Sequence, residues 1–232
     1  MNPQPLNADD LPTPGEVDLH RAGLALGVAF QDELGELRLS SREVQLAAEM
    51  NERRQRDFLV GRLAARRALE ALDVPAGPVL TEGRRPLFPQ PVIGSISHSG
   101  GVGVALVGLR EAVCSIGVDI EFRRIILRAA RGVCTPDELA WALSADSEAA
   151  RAERATALFS AKESAYKALT TPAQSSLRWR DIAITPRRSG YTARVRGART
   201  PSPEIAGWWR FGSGILTWAT SSEGAARRSA VG

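Results

Sequence analysis

The stretch SIGVDIEF, residues 115–122, decides how the middle of the chain is read. Its β-branched residues and strict alternation predict a strand. Side chains of a strand alternate between faces, so Ile116, Val118, Ile120 and Phe122 point one way and Asp119 and Glu121 the other. The two carboxylates then project side by side, roughly 7 Å apart by strand rise. One reading is a half-exposed amphipathic strand with a solvated polar face. The other starts from repulsion, because two like charges on one small patch call for a cation between them. Oxygen-only ligands suit Mg²⁺, which takes one or two protein carboxylates together with water and phosphate oxygens.

Upstream, LALGVAF (24–30) reads as a first strand. Residues 40–72 form the longest helical pattern, in two helices. Ser40 or Ser41 caps the first, and Leu46, Met50, Phe58, Leu63 and Leu69 form the apolar face. The stretch 79–92 contains GRRPLFPQP, too rich in proline for a central strand. VIGSIS (92–97) and VGVALVGL (102–109) are strands around a His-Ser-Gly-Gly turn. Downstream, Thr135 as N-cap and Pro136 at the first helical position open a helix over 135–143. A second long helix covers 148–169, and 177–221 alternates short strands with Gly/Pro turns. Residues 1–22 and 223–232 read as loosely ordered ends flanking an N-terminal lobe (23–110) and a C-terminal lobe (111–222). No short repeat is visible, although both halves run strand, helix, strands.

Composition narrows the function classes. With 232 residues the chain can bury a sizeable core, as one large domain or two small lobes. At 44% hydrophobic and 24% charged residues it is neither disordered nor, without an 18-residue apolar run, membrane-spanning. The start, MNPQPLNADD, lacks the basic and apolar regions of a secretory signal. Cys114 and Cys134 lie far apart, which suits a reduced cytoplasmic protein and indicates neither a zinc site nor a disulfide framework. The 30 basic residues comprise 28 arginines and only two lysines, Lys162 and Lys167, six residues apart counted inclusively. Clustered lysines in an arginine-using chain mark positions where a compact ammonium is needed, unless the clustering is chance.

Those lysines lie in FSAKESAYKAL (159–169). Glu163 and Lys167 are an i,i+4 helix pair, which by itself stabilises a helix by about 0.3–0.5 kcal/mol and no more. Lys162 faces elsewhere and is not explained by that pairing; Phe159, Tyr166 and Leu169 face the core. One carboxylate and two ammoniums together are equipment for a metal and a pyrophosphate. In SISHSGG (95–101), His98 at a strand end, between Ser97 and Ser99 and ahead of two glycines, is a turn histidine without a role or a phosphate ligand. His20 is given no role. Arg54, Arg62 and Arg66 share one helix face, either a solvated row or a phosphate-binding rim.

Taken in order, FxxGRxAARxAL, RRPxFP, SISHSGG, GVDIE and FSAKESAYKA resemble the signature of the 4′-phosphopantetheinyl transferases, and of their larger, Sfp-type branch. The motifs cover about half the chain, from Arg54 to Leu169. The resemblance implies an α+β fold with two similar lobes and an active site in the cleft between them, where coenzyme A lies. It implies that Asp119, Glu121 and Glu163 hold Mg²⁺, with Mn²⁺ as its substitute, on the pyrophosphate, and that Glu163 serves as or positions the base. Lys162 and Lys167 would neutralise phosphate charge. His98, beside Ser97, would meet the 3′-phosphate, with Arg54, Arg62 and one of Arg84 or Arg85 around the nucleotide. A serine of an apo acyl or peptidyl carrier protein would attack the β-phosphate, take the phosphopantetheine arm and release 3′,5′-ADP. Siderophore, other nonribosomal peptide or polyketide synthesis is the implied setting, and a monomer is expected because two lobes complete the site internally.

Two rivals remain at this point. A nucleic-acid-binding module needs a continuous basic patch with exposed aromatics, whereas here the arginines are interleaved with acids and aromatics are 6%. A catalytically idle coenzyme A-binding or carrier-docking protein on the same fold would be expected to lose a metal carboxylate, and all three are present.

Overall fold

The structure is a computed structural model that describes residues 19, 22–122, 125, 127–169, 177–188, 190–197 and 205–221. The expected loose ends at 1–22 and 223–232 fall, apart from Leu19 and Ala22, outside the described residues, as does His20.

Strand β1 (Leu24–Phe30) is followed by a 3₁₀ turn, helix α1 (Ser41–Ala48) and helix α2 (Glu52–Ala71). Ser40 is the N-cap of α1, and Asn51 caps α2. The proline-rich stretch forms a small hairpin, β2 (Leu80–Glu82) and β3 (Arg85–Leu87), apart from the main sheets. Then come β4 (Val92–Ser99), β5 (Val102–Leu109) and β6 (Ser115–Glu121). Helices α3 (Leu127–Val133), α4 (Pro136–Leu143) and α5 (Glu148–Ala168) follow, then β7 (Ile182–Pro186), β8 (Gly190–Val195), β9 (Ile205–Phe211) and β10 (Ile215–Ser221). The strands form one sheet in the order β1-β5-β4 and another in the order β6-β10-β9-β8-β7, all antiparallel.

Alternation along the strands builds four layers. Ala25, Ala29, Ala105 and Val107 of the first sheet pack against Leu63, Ala64 and Ala68 of α2. The opposite face, with Leu24, Val102, Val104 and Leu106, meets Ile116, Val118, Ile120, Leu216 and Trp218 of the second sheet. The far face of the second sheet, with Ile215 and Ala219, packs against Leu158, Ala161 and Ala165 of α5. The result is an α+β fold of two like lobes, each a sheet backed by a long helix. Among the described residues no helix is long and apolar enough to cross a membrane.

The likeness of the lobes, signalled in the sequence by the strand, helix, strands order of both halves, reaches individual residues. Gly27 of β1 touches α2 so closely that an added Cβ would lie 2.0 Å from the carbonyl oxygen of Ala64. Gly117 of β6 touches α5 in the same way, 1.8 Å from the oxygen of Ser164. Arg67 of α2 donates to the oxygen of Val28, and Lys167 of α5 to that of Val118, each at 2.9 Å. Glu43 beside the Ser40 cap and Glu138 beside the Thr135 cap each close a capping box and accept from a later backbone N–H, Val79 and Ile184 respectively.

Candidate active site

Strand β6 presents its carboxylates to α5 instead of to water. Asp119 is buried because Gly117 lets the helix lie directly on the strand. The half-exposed reading of 115–122 is therefore corrected: 116–120 are buried throughout, one face by the first sheet and the other by α5. Asp119 Oδ2 accepts from Ser160 Oγ at 2.8 Å, while Oδ1 accepts from Ser97 Oγ and Lys167 Nζ, both at 2.8 Å. Ser97 comes from the other lobe, as does Ser95, whose Oγ accepts from the Val118 N–H at 3.1 Å. The metal-side carboxylate is thus fixed where the lobes meet.

Glu121, at the end of the same strand face, and Glu163, on α5, are half-buried. Burial, then the charges of Asp119 and Glu163, push the Glu121 carboxyl up to about 7. Burial and the charge of Asp119 push Glu163 up to about 7 as well, against the opposing pull of Lys167. Among the described residues no group of three or more His, Cys, Asp or Glu side chains is placed to hold a metal ion by itself. An open set is what Mg²⁺ needs, since it keeps waters and takes most of its remaining ligands from phosphate. Asp119, Glu121 and Glu163 are all-oxygen donors, the ligand type that Mg²⁺ takes, and the charge of Glu163 is one of the causes that raise Glu121.

The lysines separate. Lys167 reaches across to Asp119, the oxygen of Val118 and Ser97 (3.1 Å), and keeps 26% of its side chain exposed at the site. Lys162 is the correction. Its side chain has no exposed area, and its ammonium pairs with Glu138 Oε1 at 2.9 Å and donates to the carbonyls of Trp179 and Ile182. An ammonium has three donors. All three of its donors are matched inside the lobe, so Lys162 faces no ligand.

Ser97 is corrected similarly: 7% exposed and bonded to Asp119 and Lys167, it braces the metal-side carboxylate. Arg62, 4% exposed, lies over the Phe58 ring, donates to the oxygen of Leu80 at 3.3 Å and has its Nε 4.0 Å from Glu43. Burial pushes its pKa down to about 10. Arg66 also turns to Glu43, at 3.2 Å. Of the expected arginine rim on α2, Arg54 is the exposed member. His98 Nδ1 stands 3.5 Å from Asp57 Oδ1 beside the start of α2, and burial holds its pKa below the ordinary imidazole value. Arg84 is exposed at the β2–β3 turn, and Arg85 crosses between lobes to donate to the oxygen of Leu169 at 2.7 Å.

Beside Glu163 opens a cleft of about 710 Å³. Tyr166, Leu177 and Trp179 supply its apolar wall, and Arg84, Arg178 and Arg180 its basic rim. Trp179 packs edge-on against Phe159 and Tyr166, at ring distances of 6.0 and 5.7 Å. Tyr166 therefore lines the cleft and does not simply fill the core. It stands three residues from Glu163, a spacing that shares a helix face and gave the available clue. Leu177 and Trp179 carry no comparable signal, since a loop aromatic has no periodicity to read.

A carboxylate-rich seam between two like lobes, with a lysine across it and an apolar cleft alongside, is unlike the continuous basic surface that a nucleic-acid-binding module needs. Family models match both halves of the chain. The 4′-phosphopantetheinyl transferase N-terminal domain matches residues 42–108, and the 4′-phosphopantetheinyl transferase superfamily matches 115–213. The 4′-phosphopantetheinyl transferase Svp of Streptomyces mobaraensis is 30% identical over 196 residues, covering 78% of each chain. PptT of Mycobacterium tuberculosis is 29% identical over 76% of this chain and 83% of its own. Enterobactin synthase component D of Escherichia coli K12 is 38% identical over 50% of this chain and 55% of its own. The holo-[acyl-carrier-protein] synthase of Thermotoga maritima superposes with a TM-score of 0.40 at 15% identity, over 47% of this chain and 64% of that one, a likeness too slight to argue from. The chain belongs to the 4′-phosphopantetheinyl transferase family.

Proposed function

We propose that the protein moves the phosphopantetheine arm of coenzyme A onto a serine of an apo acyl or peptidyl carrier protein. Coenzyme A lies along the lobe seam, its nucleotide end toward His98 and Arg54 and its arm along Tyr166, Leu177 and Trp179. Asp119, Glu121 and Glu163 would hold Mg²⁺, which when bound supplies charge neutralisation at the pyrophosphate. Lys167 holds Asp119 in place and adds positive charge where oxygen charge grows. Glu163, with its carboxyl raised to about 7, takes the serine proton. The serine oxygen attacks the β-phosphorus, the bond to the 3′,5′-ADP oxygen breaks, and the arm stays on the serine. The nucleophile belongs to the partner, which is why the site has no serine–histidine pair of its own for this step.

The observation that carries this reading is the seam itself: Asp119 held by Ser97 from one lobe and by Ser160 and Lys167 from the other. Likeness to enterobactin synthase component D supports siderophore or another nonribosomal peptide or polyketide synthesis as the setting. A cytoplasmic monomer is the simplest assembly, because one chain furnishes both sides of the seam. Incubation with coenzyme A, Mg²⁺ and an apo carrier protein, followed by intact mass of the carrier, tests the proposal. A gain of one phosphopantetheine on the carrier supports it. Coenzyme A binding without a mass gain would favour the idle carrier-docking rival.

A further inference from the structure

We propose that Lys162 is a positioning residue: with Glu138 it sets the wall of the cleft at 177–181 relative to Glu163, and so governs the arm of coenzyme A and not its phosphates. The inference rests on the placement of the arm in that cleft. Four observations lead to it.

Lys162 is wholly buried and cannot touch anything in the cleft. Its ammonium instead grips the carbonyls of Trp179, the first residue of the 3₁₀ turn Trp179–Asp181, and of Ile182, the residue that caps its end. That turn carries Trp179 and Arg180 into the cleft. Lys162 directly precedes Glu163 on α5, so one side chain ties the helix turn bearing Glu163 to the facing wall. Glu138 is itself immobilised by the N–H groups of Thr135 and Ile184, each at 2.6 Å. The pair therefore locks α4, α5 and β7 into one arrangement.

Stability alone is a weak reason for such a pair, since apolar replacements of similar volume are often as stable. The N-terminal lobe supplies an internal comparison. There Arg62 occupies the corresponding place on α2, next to Glu43 and the oxygen of Leu80, yet the following residue is Leu63 and no metal carboxylate adjoins it. A buried cation at this point is thus part of the lobe framework, and in the C-terminal lobe alone the framework borders Glu163 and the cleft.

The test compares coenzyme A with adenosine 3′-phosphate 5′-diphosphate, which keeps the nucleotide end and the pyrophosphate and lacks the pantetheine arm. Lys162→Met removes the ammonium, and Lys162→Met with Glu138→Gln removes both charges and is read if the single variant fails to fold. Each is assayed by calorimetric binding of both ligands with Mg²⁺ and by steady-state kinetics. The expected result is a rise in KM for coenzyme A and a loss of its affinity of about tenfold, the equivalent of one well-made contact, with the affinity of adenosine 3′-phosphate 5′-diphosphate unchanged. Equal losses for both ligands would return Lys162 to the phosphates and overturn the inference. A folded double variant with wild-type KM would overturn it too, by reducing the pair to framework. A wild-type protein that binds both ligands equally would refute the arm's placement, and the inference with it.

Discussion

At the scale of single residues, the proposed function gives Asp119 to a metal end of the site and His98 to a nucleotide end. Asp119 takes hydrogen bonds on both oxygens, from Ser97, Ser160 and Lys167. Asp119→Asn keeps the shape and removes the charge, leaving Lys167 facing a neutral amide. Turnover is expected to fall by about 10²-fold or more, the usual scale for a lost electrostatic element, while 3′,5′-ADP still binds. Full turnover by this variant at saturating coenzyme A would remove Asp119 from the chemistry. Burial, with the charge of Arg54 adding to it, holds the His98 imidazole below its ordinary pKa despite Asp57 at 3.5 Å. His98→Ala is expected to weaken coenzyme A by about 10- to 150-fold, the worth of a charge-assisted phosphate contact, and to leave 3′-dephospho-coenzyme A nearly unaffected. Equal losses would place His98 away from the 3′-phosphate. The residues that carry charge in the sequence were the ones it exposed to reading. Ser95 and Ser160, which hold β6 and Asp119, gave no sign, because a serine acquires its meaning from what folding brings opposite it.

At the scale of elements, the contact of β6 with α5 decides whether the carboxylates converge. Gly117→Ala drives a methyl into the carbonyl of Ser164, and the helix must lift. A loss of about 1–3 kcal/mol or more is expected from such overpacking, with activity falling further than stability because Glu163 moves with the helix. Thermal unfolding beside a turnover assay separates the two effects. The same convergence sets a pH dependence. Glu121 and Glu163 have folded pKa values of about 7, above their unfolded values, so their contribution to stability is complete at low pH and is lost as pH rises through about 7. Without metal, the melting temperature should therefore fall between about pH 5 and 8 more steeply than that of Glu163→Gln. The size is modest because both groups are partly solvated. Mg²⁺ should flatten the curve, and identical slopes for both proteins would contradict the proximity of these carboxylates. Element positions were largely legible: the strand at 24–30 and the Thr135–Pro136 helix start fell where caps and alternation put them. Burial was not, since alternation predicts which residues share a face and not what covers it.

At the scale of the whole molecule, the lobes are a repeat whose halves have diverged in chemistry. Ala29 stands where the second lobe has Asp119, and Leu63 where it has Glu163, on matching strands and helices. Only the coarse order of the repeat was legible in the sequence, because residue by residue it is held by small residues at close contacts, Gly27 with Ala64 and Gly117 with Ser164, and by cations of different type, Arg67 and Lys167. Only the second lobe carries Asp119, Glu121 and Glu163, while the first supplies His98, Arg54 and the Ser97 brace, so the proposed site draws on both lobes. This makes metal and coenzyme A interdependent. A ligand present at about 100 times its Kd adds about 2.7 kcal/mol of stability. For a protein of about this size that raises the melting temperature by roughly 5–10 °C. Independent ligands would give shifts that add. Here Mg²⁺ alone meets an open carboxylate set with no phosphate to complete it, and coenzyme A alone brings pyrophosphate charge toward three carboxylates. Together they are expected to raise the melting temperature by more than the sum of their separate effects. Glu163→Gln, lacking one ligand, should lose most of that excess while retaining the coenzyme A shift that comes from His98 and Arg54. Strict additivity in the wild-type protein, measured at matched ionic strength, would show that metal and pyrophosphate do not share this seam.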